Sequence, residues 1–129
     1  MGANTEYVRA WIERWNSGDL DALIEDMDPD AEWVVAREHP AATIHRGPEE
    51  IGEYFRDWNR TMPGIQIEAV ELEELGDRVL AVMRMQAEGA GSGAGAEISV
   101  ATVTAFRDAK VIRTEEFLDP DEARRALSD

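Results

Sequence analysis

Two charged side chains stand where a charge demands an explanation. Arg84 interrupts the apolar run Leu80-Ala-Val-Met-Arg-Met-Gln86, and Glu116 lies in the alternating series Ile112, Thr114, Glu116, Leu118. A charge taken out of water requires an opposite partner or an anionic ligand, because an unpaired buried ion is costly. Period-two alternation sets Glu116 on the same sheet face as Ile98, Val100, Thr102, Thr104 and Phe106 of the preceding run. A carboxylate on an apolar face is suited to moving a proton, and a guanidinium beside it to stabilising developing negative charge. Paired with each other, Glu116 and Arg84 would instead form a satisfied internal ion pair with no chemistry. The residues alone leave both readings open. Gln86, Thr102 and Thr104 either orient a ligand or complete cross-strand hydrogen bonds.

The histidines and aromatic residues form a second group. His39 and His45 fall in one loop with Glu38, without a third ligand at a recognisable spacing, so no metal is expected. A histidine at a pocket mouth can act as acid or base at its natural pKa, and His45 is the candidate. Trp11, Trp15, Trp33, Phe55 and Trp58 serve as core or as the wall of a pocket for a flat, apolar or cyclic ligand. No Gly-x-Ser-x-Gly elbow, dinucleotide fingerprint or basic aromatic sheet is present, and no cofactor is expected.

The elements that must position these residues follow from periodicity. Tyr7, Val8, Trp11, Ile12 and Trp15 predict a helix over about Thr5 to Ser17, stopped by Gly18. Asp19 is placed to cap a second helix carrying Leu20, Leu23, Ile24 and Met27. Glu32 to Ala36 reads as a strand, and Gly47-Pro48 opens a third helix with the stripe Ile51, Tyr54, Phe55, Trp58. From Ile65 the period becomes two, with a phase slip at Ala69-Val70 that suggests a β-bulge. Strands follow over Val79–Glu88, Ile98–Arg107 and Val111–Leu118, then a short helical tail. Gly89 to Ala96 reads as a loose hairpin connection, and Ala109 occupies a turn position where positive φ would strain it. The order predicts an α+β fold in one domain over residues 1–129.

Asn16-Ser-Gly-Asp19, Arg46-Gly-Pro48, Gly76-Asp-Arg78 and the closing hairpin Ala105–Asp119 fall in an order that resembles the SnoaL-like branch of the nuclear transport factor 2-like superfamily. The resemblance implies a curved antiparallel sheet wrapped around three N-terminal helices, a cystatin-like α+β barrel, with a conical pocket and a short C-terminal helix. It also invites three mechanistic comparisons. The catalytic positions of ketosteroid isomerase fall on Trp11, Val35 and Thr102, which cannot do that chemistry. Those of limonene-type epoxide hydrolase fall on Arg84, Gln86 and Glu116, and Gln86 is neither acid nor base near neutral pH. A polyketide cyclase needs a single carboxylate, for which Glu116 is the natural candidate. The resemblance thus implies a small apolar organic ligand, with cofactor-free isomerase or cyclase chemistry or with binding alone.

Composition narrows the partners. Among 129 residues, 28 acidic against 13 basic side chains leave a net charge of −15. That excess repels phosphate backbones and anionic lipid, so nucleic acid and membrane surfaces are not expected partners. It suits a solvated acidic surface or a salt-adapted source. No apolar run approaches the ~20 residues of a membrane span, no charged-then-apolar leader opens the chain, and cysteine is absent; a cytoplasmic location is expected. Ser99, Ala101, Val103 and Ala105 form an outer row too apolar to leave wet, which predicts a homodimer.

Overall fold

Helix α1 (Ala3–Ser17) forms because Val8, Ile12 and Trp15 share one buried face. Gly18, at φ 85°, adopts the left-handed conformation that ends it, and its N–H bonds the Trp15 carbonyl at 3.0 Å. The computed structural model describes residues 2–39, 42–88 and 95–128; residues 89–94 of the glycine-alanine stretch lie outside them. After α1 come a 3-10 turn (Asp21–Leu23), β1 (Met27–Val34), β2 (Ile44–Arg46) and α2 (Gly47–Thr61). Then follow β3 (Gln66–Leu75), β4 (Arg78–Glu88), β5 (Gly95–Arg107), β6 (Lys110–Phe117) and α3 (Pro120–Ser128).

The strands form one six-stranded sheet in the order β2-β1-β6-β5-β4-β3, curved around α1 and α2. Its pairs are antiparallel except β1 with β6, which run parallel. The α+β class and the curved sheet are those expected, but the second N-terminal helix is reduced to the 3-10 turn. Asp19 still accepts the Ala22 N–H at 3.2 Å, yet Met27 is drawn into the sheet opposite Val111. Strand β1 therefore begins five residues before the expected Glu32 and contains Pro29, which sits where the register with β6 shifts between Met27 and Glu32. The predicted bulge in β3 is present, with Val70 as the extra residue between Ala69 and Glu71. A further bulge between Ala105 and Phe106 skips Ile112 and buries Val111, and Ile112 does not line the cavity with Glu116. Ala109 does have positive φ, 65°, as does Asp108 at 53°.

Both faces of the sheet are packed. The concave face meets α1 and α2 in a core including Ile12, Leu23, Ile51, Phe55, Val79 and Ala81. The convex face carries a second, smaller core in which α3 lays Ala123 and Leu127 on Leu80, Ala101 and Val103. Arg124 of α3 reaches Glu71 at 2.8 Å, and Arg78 donates to the Ala126 carbonyl at 3.0 Å, fixing the helix in place. The β5 row that predicts a dimer is therefore covered from within the chain: Ala101 and Val103 are buried under α3, and Ser99 is exposed. The edge strand β3 is secured along its backbone by Asn16. The Asn16 Nδ2 donates to the Ile67 carbonyl at 2.9 Å, and its Oδ1 accepts the Ile67 N–H at 2.7 Å.

Candidate ligand pocket and its carboxylate

The helices leave part of the concave face unfilled. The result is a cavity of about 320 Å³ whose walls are almost wholly apolar. Trp11 and Trp15 enter it from α1, Tyr54, Phe55 and Trp58 from α2, Trp33 from β1, and Met83 and Met85 from β4. Spacing of three and four residues on each helix brings those side chains to one side. Trp15, Trp11 and Trp33 stack in series with ring centroids 5.9 and 6.0 Å apart. Phe55 meets all three edge-on, at 4.9 Å from Trp33. Such packing fixes the rings and presents flat apolar surface to the cavity.

Glu116 is the charged group in this wall. Strand β6 aims it inward opposite Thr102 of β5. Its Oε2 accepts the Trp33 indole N–H at 2.6 Å and the Tyr54 hydroxyl at 2.7 Å, while Oε1 accepts the Ala36 N–H at 3.4 Å. These are the acceptor contacts of a carboxylate, which has about four lone-pair positions and here retains capacity on Oε1. Burial, and then the negative charge of Glu116, push the Tyr54 phenol far above its ordinary range. Tyr54 is therefore a fixed donor to the carboxylate.

The sequence candidates divide between the two faces of the sheet. Glu116, Thr102, Trp11, Trp15, Trp33, Phe55 and Trp58 line the cavity together. Thr104 lies deeper, hydroxyl to hydroxyl with Thr114 at 3.2 Å. Arg84 and Gln86 do not join them. On β4, Met83 and Met85 take the concave positions, and alternation sends Arg84 and Gln86 to the convex side. There Arg84 bridges Glu68 at 3.1 Å and Glu97 at 3.0 Å, so the expected Arg84–Glu116 pair does not form. Gln86 is exposed opposite Glu97. His45 stacks on the Tyr54 ring at 4.7 Å and is absent from the cavity wall; His39 lines it instead, edge-on to Trp58 at 6.1 Å.

Tyr54 and His39 were not singled out from sequence. For Tyr54 a signal existed: a phenol within an apolar helical stripe must find a partner for its hydroxyl. Nothing in the loop sequence distinguished His39 from His45. Among the described residues no three His, Cys, Asp or Glu side chains converge as metal ligands do, and no helix is long and apolar enough to cross a membrane.

Comparison with known proteins bears on this arrangement. A family model described as a SnoaL-like domain matches residues 8–114. Comparison with curated proteins gave no match. Among solved structures, TerC co-crystallised with polyporic acid is similar at 21% identity and a TM-score of 0.77, covering 99% of this chain and 100% of that one. Bal32a, from a soil-derived mobile gene cassette, is 28% identical with a TM-score of 0.76, covering 88% and 86%. A Catenulispora acidiphila protein with a ketosteroid isomerase-like fold, in complex with trimethylamine, is 17% identical with a TM-score of 0.74, covering 85% and 82%.

Proposed function

Because the chain belongs to the SnoaL-like domain family, we propose that it binds a small apolar or cyclic organic molecule in the cone and moves a proton on it with Glu116. The observation that carries the reading is one carboxylate, held by Trp33 and Tyr54, in the wall of an otherwise apolar cavity. The likeness to TerC, co-crystallised with polyporic acid, supports a small organic ligand. In the step proposed, an acidic C–H bond of the ligand breaks and its proton passes to Glu116. The electron pair stays on the ligand as an enolate, and the proton returns at another atom. Nothing is oxidised or reduced, and no cofactor is required. Arg84, on the opposite face, takes no part.

A second reading, ligand binding without catalysis, is favoured by the commitment of Oε2 to two internal donors. One experiment separates the two. Thermal shift and tryptophan fluorescence are followed against cyclic ketones, polyketide-like aromatics and terpenoid epoxides and diols, for the parent and Glu116→Gln. Binding retained with turnover lost in Glu116→Gln supports proton transfer; binding with no turnover in either protein leaves the binding module. Absence of binding by every class rejects the cone as a ligand site.

One domain over residues 1–129 and a cytoplasmic location belong to the same proposal. So does homodimerisation, which would have to use a surface other than the β5 row beneath α3. Sedimentation as a monomer at micromolar concentration rejects the dimer.

A further inference from the structure

A second, much smaller cavity of about 30 Å³ adjoins the first, and Trp11, Trp33, Met83 and Thr102 belong to the walls of both. That volume admits one water-sized atom and excludes a ring. Its wall, like that of the main cavity, is mostly apolar surface, but three hydroxyl side chains of threonine belong to it. Thr102, Thr104 and Thr114 are all buried in its wall, on adjacent strands β5 and β6. The Thr104 and Thr114 hydroxyls share one hydrogen bond at 3.2 Å. Two hydroxyls carry two hydrogens, so this pair keeps one to donate, with lone pairs to accept. Tyr7 completes the wall; its hydroxyl oxygen is buried without a well-aligned hydrogen bond among the described residues, and the Arg14 guanidinium is its polar neighbour. Buried polar atoms in native proteins are nearly always satisfied, by protein, water or ligand.

Resting on the reading of the cone as a ligand site, we propose that this recess is a subsite for a single oxygen substituent. The ligand class is then a flat cyclic molecule with two oxygen functions. One hydroxyl or keto oxygen enters among Thr104, Thr114 and Tyr7, and the other meets Glu116. The recess thereby fixes which end of the ligand points inward. Met83, unbranched and adaptable, forms part of the wall common to the two cavities and can shift to admit the substituent.

Calorimetric titration with two shape-matched probes tests this: 2,6-dihydroxynaphthalene and 6-methyl-2-naphthol. Each offers one hydroxyl to Glu116, and they differ in placing an oxygen or a methyl group in the recess. The parent should bind the diol about tenfold more tightly, because the methyl group leaves the recess hydroxyls without a partner. In the double variant Thr104→Val/Thr114→Val both members of the pair become apolar at constant shape, and the preference should vanish while 6-methyl-2-naphthol still binds. Equal affinities in the parent, or a preference that persists in the folded double variant, overturn the subsite and leave the cone reading standing. Failure of both probes to bind the parent overturns both. The comparison within the parent decides the matter even where the double variant does not fold.

Discussion

Replacing Glu116 separates its role as an acceptor from its role as a charge. In Glu116→Leu the Trp33 N–H and the Tyr54 hydroxyl, now 2.6 and 2.7 Å from Oε2, lose that acceptor. Each stranded buried donor costs about 1–3 kcal/mol, and relief from holding a charge in an apolar wall offsets part of that. A net loss of about 2–4 kcal/mol follows. Glu116→Gln keeps a carbonyl oxygen for both donors, gives up the charge assistance, and turns an amide toward the Ala36 N–H now 3.4 Å from Oε1. Its loss should be about 1–2 kcal/mol. At roughly 3–5 °C per kcal/mol for a chain of this size, the melting temperature falls by roughly 10 °C in the leucine variant and roughly 5 °C in the glutamine variant. Urea titrations with shared slopes give the free energies directly. A leucine variant at least as stable as the glutamine variant would refute the acceptor role, and with it the geometry on which proton transfer is argued.

Three other outcomes follow from the same structure. Ala109→Gly should stabilise the chain by about 0.5–1 kcal/mol in urea titration, since residue 109 has φ 65°; an unchanged or lower midpoint rejects the strain. Burial raises both phenols of the chain, Tyr7 and Tyr54. The folded state thus holds protons that the unfolded state releases above about pH 10, and stability should fall as pH rises past that point. Tyr54→Phe should flatten the fall, and phenolate absorbance appearing in the native protein at ordinary tyrosine pH would contradict it. Ending the chain after Asp119 removes α3 and bares Leu80, Ala101 and Val103; self-association in sedimentation is expected, and an unassociated fragment melting with the full chain would sink the second core.

What the sequence disclosed and what it withheld have a common physical cause. On β5 and β6 alternation places Thr102, Thr104, Thr114 and Glu116 on one face, and the direct pairing of Thr102 with Glu116 and of Thr104 with Thr114 keeps them there. Strand β4 is apolar at both parities from Leu80 to Met83, because α3 buries Leu80 behind it while the cone takes Ala81 and Met83 in front. The phase of Arg84 was therefore ambiguous, and its apolar neighbours suggested burial that it does not have. Ile112 was misplaced because the bulge that skips it leaves no change of residue type to betray it. The second helix was lost to a long-range pairing, Met27 with Val111, that local propensity does not register. By contrast the Val70 bulge was legible, since there the apolar phase itself slips.

The helix on the convex side has a consequence for how this scaffold can change. Strands β4 and β5 are anchored from behind by Leu80, Ala101, Val103 and Leu127, and their forward-facing neighbours Met85, Ile98 and Val100 border empty space. Substitution at those forward positions removes few packing contacts, whereas substitution of Leu80, Ala101 or Val103 on the other face opens a hole in the second core. The two faces of the same strands thus answer to separate constraints, recognition on the concave side and durability on the convex one. A library confined to the forward positions should alter ligand preference while leaving most members folded.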